Sequence, residues 1–159
     1  MNAEKENIIS DKLLKPYNPK ETEARIYKLW EESGYFNPYN LPERHKEPFT
    51  IIMPPPNANG SLHVVHAVFV TIEDLIIRYK RMRGFRALWV PGADHAGFET
   101  QVVYEKKLEK EGRSRFKIDP KELYQEIMDF TRSNKAFMEN QLRELGASCD
   151  WSREKFTLD

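Results

Sequence analysis

The sequence predicts an α/β fold on parallel strands, and three observations carry that prediction. A short apolar run rich in β-branched residues, FTIIM (Phe49–Met53), reads as a buried strand, and a second apolar run, FRALWV (Phe85–Val90), reads as its partner. Between them lies one long segment of helical periodicity, so the order strand, helix, strand makes a right-handed parallel unit. Each strand also ends abruptly. Pro54, Pro55 and Pro56 stop the first, because proline has no N–H for a sheet ladder, and Pro91-Gly92 stops the second.

The elements follow in order. Residues 1–15 are charged and read as a flexible arm. A helical segment begins with Asn18 as N-cap and Pro19 at the first helical position, and Gly34 stops it. Ile26, Leu29, Trp30 and Ser33 fall along one side, as in a packing helix. After the first strand, the loop NANGS leads into a helix from near His63 to Met82, closed by Gly84. Its apolar stripe is Phe69, Ile72, Leu75, Ile76, Tyr79 and Met82. The loop GADHAG leads into a helix from about Phe98 to Glu111, closed by Gly112. In the last helix Asp119 is the N-cap, Pro120 takes the first helical position, and Gly146 ends it.

Composition bounds the function. The 159 residues suit one domain or one lobe of a larger one, and 40% hydrophobic residues can fill a core. With 25 basic and 25 acidic residues the net charge is silent about nucleic acid. The basic run RYKRMRGFR (Arg78–Arg86) reads as a solvated helix face opposite the apolar stripe. Cys149 is the one cysteine, which excludes an intramolecular disulfide and fits a reducing compartment. No apolar run reaches about 18 residues, so no membrane span is expected. The N-terminus is too charged for a secretory signal. The cytoplasm is the expected location.

Ligands of parallel α/β sheets bind beyond the carboxyl ends of the strands, where both unusual loops lie. The first loop feeds a helix N-terminus, whose free N–H groups and positive dipole end favour phosphate. Gly60 allows close approach of the backbone to a ligand. His63 and His66 stand one turn apart and can face one point, where two imidazole N–H groups would stabilise charge on a transferring phosphorus. His63, His66, Asp94 and His95 also offer metal-binding atoms. No H-E-x-x-H is present and Cys149 is remote, so no metal is expected.

These residues carry a resemblance. NGSLHVVHA is similar to the HIGH element of class I aminoacyl-tRNA synthetases, and PGADHAGFETQ resembles the second loop of their valyl branch. PPPN and the terminal GASCDWSREKFTLD read the same way. The similarity runs from about Lys15 to Asp159. It implies that residues 16–159 are the first half of a Rossmann-like nucleotide-binding catalytic domain, with the helical arm before it. The implied activity is ATP-dependent formation of valyl-adenylate and transfer of valine to tRNA(Val), with Mg2+ accompanying ATP and the full-length enzyme a monomer. By the same resemblance His63 and His66 would be catalytic phosphate contacts. Asn59, Gly60 and Val65 would lie in the ATP site, Pro55 and Asn57 would shape the amino-acid pocket, and Asp94 would hold the α-ammonium.

The resemblance has departures. Val65 stands where the family has glycine, and its isopropyl group is expected to crowd adenine, at about 1–3 kcal/mol. No KMSK loop occurs in the sequence, nor do the editing, second catalytic and anticodon regions. The 159 residues alone are therefore expected to be inactive. A non-catalytic or degenerate synthetase-derived module that binds nucleotide remains the alternative, and a different nucleotidyl transferase using an H-x-x-H loop is a weaker one.

Overall fold

The computed structural model describes residues 16–159; the arm at 1–15 lies outside the described residues. Its centre is one parallel strand–helix–strand unit. Strand β1 (Pro48–Ile52) pairs in parallel with β2 (Arg86–Val90), Thr50 opposite Leu88, and α2 (Val64–Met82) connects them. The ladder has its last donor at Met53, whose N–H reaches Val90 O at 3.0 Å, and the three prolines follow. A second parallel pair continues from β2: β3 (Gly92–Ala93) lies beside β4 (Lys155–Phe156). Nothing in the sequence announced so short a pairing.

Three further helices surround this unit: α1 (Pro19–Glu32), α3 (Gly97–Lys110) and α4 (Pro120–Glu144). Their ends obey the local chemistry. Asp119 accepts from Lys121 N at 2.9 Å and caps α4, with Pro120 following. Gly34, Gly84, Gly112 and Gly146 all have positive φ just beyond a helix, the conformation a side chain disfavours. Helix α1 docks through Tyr27, which donates to Ala147 O at 2.8 Å and accepts from Trp151 Nε1 at 2.8 Å. Leu29, expected on its packing side, is exposed.

The core contains Met53, Val70, Ile77, Ala87, Trp89, Leu142, Ala147 and Cys149. Two expectations are corrected here. The face of α2 turned to the core carries Val70, Glu73, Asp74, Ile77 and Arg81, while Ile72, Leu75, Ile76, Tyr79 and Met82 are exposed. The polar members of the inner face are satisfied by partners: Trp89 Nε1 donates to Glu73 at 3.0 Å, and Arg81 donates to Ser148 Oγ and O at 2.7 and 2.8 Å. The basic run is accordingly no fully solvated face, since Arg78 and Arg81 are bonded to the loop after α4. Strand β1 is half-covered rather than buried. Phe49 and Ile51 face the core, and Thr50 and Ile52 face out.

Candidate functional site

Past the end of β1 and β2 the two loops stay zipped. Asp94 N donates to Pro56 O at 2.8 Å and Ala58 N donates to Asp94 O at 2.7 Å. This places Asn57 beside Asp94 as an isolated parallel bridge. Strand geometry is thereby extended just far enough to carry both loops to one place, as parallel sheets do at their carboxyl ends.

A cavity of about 350 Å³ opens there, within the range of small-molecule sites. Pro55, Asn57, Asn59, His63 and His66, all singled out from sequence, line it. Ser61, Leu62 and Phe69 line it as well and were not singled out. Gly60 sits between two lining residues. A Cβ built on it meets no atom within 4 Å, so no internal packing demands glycine there. Val65 lies in the first turn of α2, is exposed, and is not among the lining residues. Asp94 lies outside the lining too, joined to it through the backbone of Pro56–Ala58.

The histidines are held by the start of α2. His63 is its N-cap in extended conformation, and its backbone N–H donates to His66 Nδ1 at 3.2 Å. The rings lie 4.0 Å apart between centroids, tilted by 57°, and Phe69 meets His66 edge-on from the next turn. Because Nδ1 of His66 accepts, its neutral ring carries the proton on Nε2 and has a donor to spare. Burial, then the nearby His63, pushes the His66 pKa down, which keeps that tautomer neutral. The N–H groups of Val64 and Val65 have no acceptor within the helix, while that of His66 faces the His63 side chain in a reciprocal capping arrangement. The wall therefore presents donors, the chemistry an anion needs. The loop is steadied from α4: Gln141 Oε1 accepts from Leu62 N at 2.9 Å, a positioning contact the sequence pattern did not indicate.

The second loop contributes an anion. Asp94 Oδ1 accepts from Ala96 N at 3.0 Å and from Thr157 Oγ1 at 3.1 Å. Its pKa is lowered, chiefly by the Ala96 N–H, with Thr157 and His95 helping against partial burial. Ala96 adopts a left-handed conformation (φ 46°), a strain of about 1–2 kcal/mol concentrated where loop becomes helix α3. Among the described residues no three His, Cys, Asp or Glu side chains are grouped to hold a metal ion.

Known proteins resemble this chain. The family "tRNA synthetases class I (I, L, M and V)" matches residues 25–159. A valine--tRNA ligase of Arabidopsis thaliana, chloroplastic/mitochondrial 2, is 50% identical over 138 residues, covering 87% of this chain and 14% of the relative. The valine--tRNA ligase of Treponema denticola is 44% identical over 154 residues, 97% of this chain and 17% of the relative. The LeuRS of a ternary LeuRS-tRNA-LeuAMS complex from Agrobacterium radiobacter K84 shares the fold, with TM-score 0.70 at 20% identity over 91% of this chain and 16% of that one. The chain thus spans about a sixth of the length of these relatives. With the family matched over most of its length, and the histidine loop and the Asp94 loop brought together as described, the chain belongs to the class I tRNA synthetases.

Proposed function

We propose that this chain is the front part of a valine--tRNA ligase, in which valine and ATP give valyl-adenylate and then valyl-tRNA(Val). The observation that carries the reading is the joining of the two loops. A donor-rich wall with His63 and His66 stands beside an anionic Asp94 that is locked to it by backbone hydrogen bonds. The relatives' identity supplies the choice of valine.

In this reading Asp94 holds the α-ammonium of valine. Pro55 and Asn57 shape the wall for its side chain, and Asn59, Gly60 and Val65 lie along ATP. His66 Nε2–H and His63 donate to the phosphates. Binding both substrates aligns the valine carboxylate with the α-phosphorus; the carboxylate forms the new P–O bond as pyrophosphate leaves with its electron pair. No protein nucleophile is needed, so the chain contributes position and charge stabilisation. Mg2+ would accompany ATP as its counter-ion. The lone Cys149, buried with its thiol pKa pushed up, is inert toward disulfide exchange, consistent with work in the cytoplasm. The full-length enzyme acts as a monomer.

The test is amino-acid-dependent exchange of pyrophosphate into ATP by the full-length protein carrying this segment. Valine should drive the exchange best among the twenty amino acids. Exchange driven better by another amino acid, or none with any, contradicts the reading. A second expectation concerns Val65→Gly. It should tighten ATP binding, because the branched side chain no longer crowds adenine, and cost several tenths of a kcal/mol (about 0.4) in helix stability. Calorimetric titration of ATP with thermal unfolding checks both; unchanged or weaker ATP binding removes adenine from this turn.

A further inference from the structure

Thr157 touches both ionisable groups of the second loop. It reaches them because β4 runs parallel to β3, with Thr157 N donating to Ala93 O at 3.2 Å. Its hydroxyl oxygen lies 3.1 Å from Asp94 Oδ1, 2.9 Å from the His95 backbone N and 2.6 Å from His95 Nδ1.

A hydroxyl has one proton and two lone pairs. The Asp94 carboxylate only accepts, so the Thr157 proton goes to it. The His95 backbone N–H only donates and takes one lone pair. The remaining lone pair faces Nδ1, so Nδ1 must carry a proton. The proximity of Asp94 Oδ1, 3.4 Å from Nδ1, favours the same choice. Neutral His95 is therefore fixed as the Nδ1–H tautomer, with its free lone pair on Nε2. The His95 side chain is 38% exposed, and Gly97 has no side chain to lie against that nitrogen, where a Cβ would stand 3.5 Å away. Meanwhile Asp94 Oδ1 is fully engaged by Ala96 and Thr157, and Oδ2 accepts no hydrogen bond among the described residues.

We propose that Thr157 is a positioning residue of the amino-acid site: it holds Asp94 with Oδ2 free for an ammonium group, and turns His95 Nε2 into an acceptor for a ligand N–H or O–H. The role rests on reading the site as one for amino-acid activation. The two groups then act together, an anion for the charged amine and a neutral acceptor beside it.

The tautomer is read without any ligand. Nitrogen NMR of the 159-residue chain with labelled histidine, at about pH 8.5 where imidazole is neutral, should show His95 protonated on Nδ1 and bare on Nε2. An Nε2–H tautomer in the unaltered chain overturns the proposal by itself. Thr157→Val removes the hydroxyl and should shift His95 toward Nε2–H, while Thr157→Ser keeps the Nδ1–H form. In the full-length enzyme Thr157→Val should raise the KM for valine about tenfold with the KM for ATP unchanged, and Thr157→Ser should restore it. If Thr157→Val does not fold, the unaltered chain and Thr157→Ser still decide. An unchanged valine KM in Thr157→Val, with Asp94→Asn impaired, overturns the positioning role. An unchanged KM in both variants overturns the reading of the site, and this proposal with it.

Discussion

His66→Asn should slow adenylate formation about 10²- to 10³-fold while leaving the fold nearly intact, the size of effect seen when one preorganised donor to a transition state is lost. The asparagine Oδ1 takes the place of Nδ1 and still accepts the His63 N–H that now reaches it at 3.2 Å. What disappears is the Nε2–H donor. His66→Gln reverses the exchange: its amide can reach the Nε2 position, and the cap is lost. Single-turnover adenylate formation and thermal unfolding, measured on both, separate the two roles. A normal rate in His66→Asn would show that the phosphates do not use Nε2.

The same histidine sets a pH dependence of stability. Its pKa in the folded chain lies below the unfolded value near 6.5, so the folded state binds fewer protons there. Its stabilising contribution is complete above that value. It is lost as the pH falls through the unfolded pKa, and the loss levels off below the folded one. Urea midpoints should therefore drop as the pH falls through the unfolded value near 6.5, less so in His66→Asn.

Asp74→Ala should cost about 3–5 kcal/mol of folding stability, a large share of the 5–15 kcal/mol typical of a domain. Asp74 Oδ1 accepts from Ser148 N at 2.9 Å and Ser148 Oγ at 2.6 Å, and Oδ2 pairs with Arg78 Nε. Arg78 also donates to Gly146 O at 2.8 Å, and Arg81 to Ser148. The Arg81 pKa is pushed down to about 10 by burial, against the pull of Asp74. Removing the acid strips Ser148 N–H of its acceptor, leaves the Arg78 guanidinium without its ion-pair partner, and weakens the field that holds the buried Arg81 charged. Asp74→Asn keeps acceptor atoms and should lose less. Urea titration measures both; a loss below about 1 kcal/mol for the alanine would mean solvent replaces the carboxylate cheaply.

The helix ends were legible because capping is local chemistry. Asp119-Pro120 marks a start with a side-chain capping bond, Asn18-Pro19 marks one by position alone because the Asn18 side chain makes no capping bond, and Gly34, Gly84, Gly112 and Gly146 mark ends by a conformation other residues resist. The inner face of α2 was not legible. Its sequence is apolar on more than one side, so periodicity offered a complete stripe that turned out to face away from the core. The true inner face mixes Val70 and Ile77 with Glu73, Asp74 and Arg81. Those charges make sense only through Trp89 and Ser148, far along the chain.

The site shows the same division. His63, His66, Asn57 and Asp94 stand in recognisable loops after strands. Gln141 bonds Leu62, the neighbour of His63, across 79 positions of sequence, and Thr157 bonds Asp94 across 63, and no local pattern announces such contacts. The segment GASCDWSREKFTLD carries part of the resemblance in its own residues, but its pairing with the Asp94 loop is a tertiary fact.

The most direct measurement is steady-state pyrophosphate exchange by full-length Asp94→Asn, with valine and ATP varied separately. The substitution keeps the shape of the carboxylate and removes its charge. The expected result is a valine KM raised about 10- to 100-fold, the worth of one charge-assisted contact, with the ATP KM within about twofold of the unaltered enzyme. Equal losses toward valine and ATP, or none toward valine, would contradict the assignment of Asp94 to the ammonium group and with it the joint site built from the two loops.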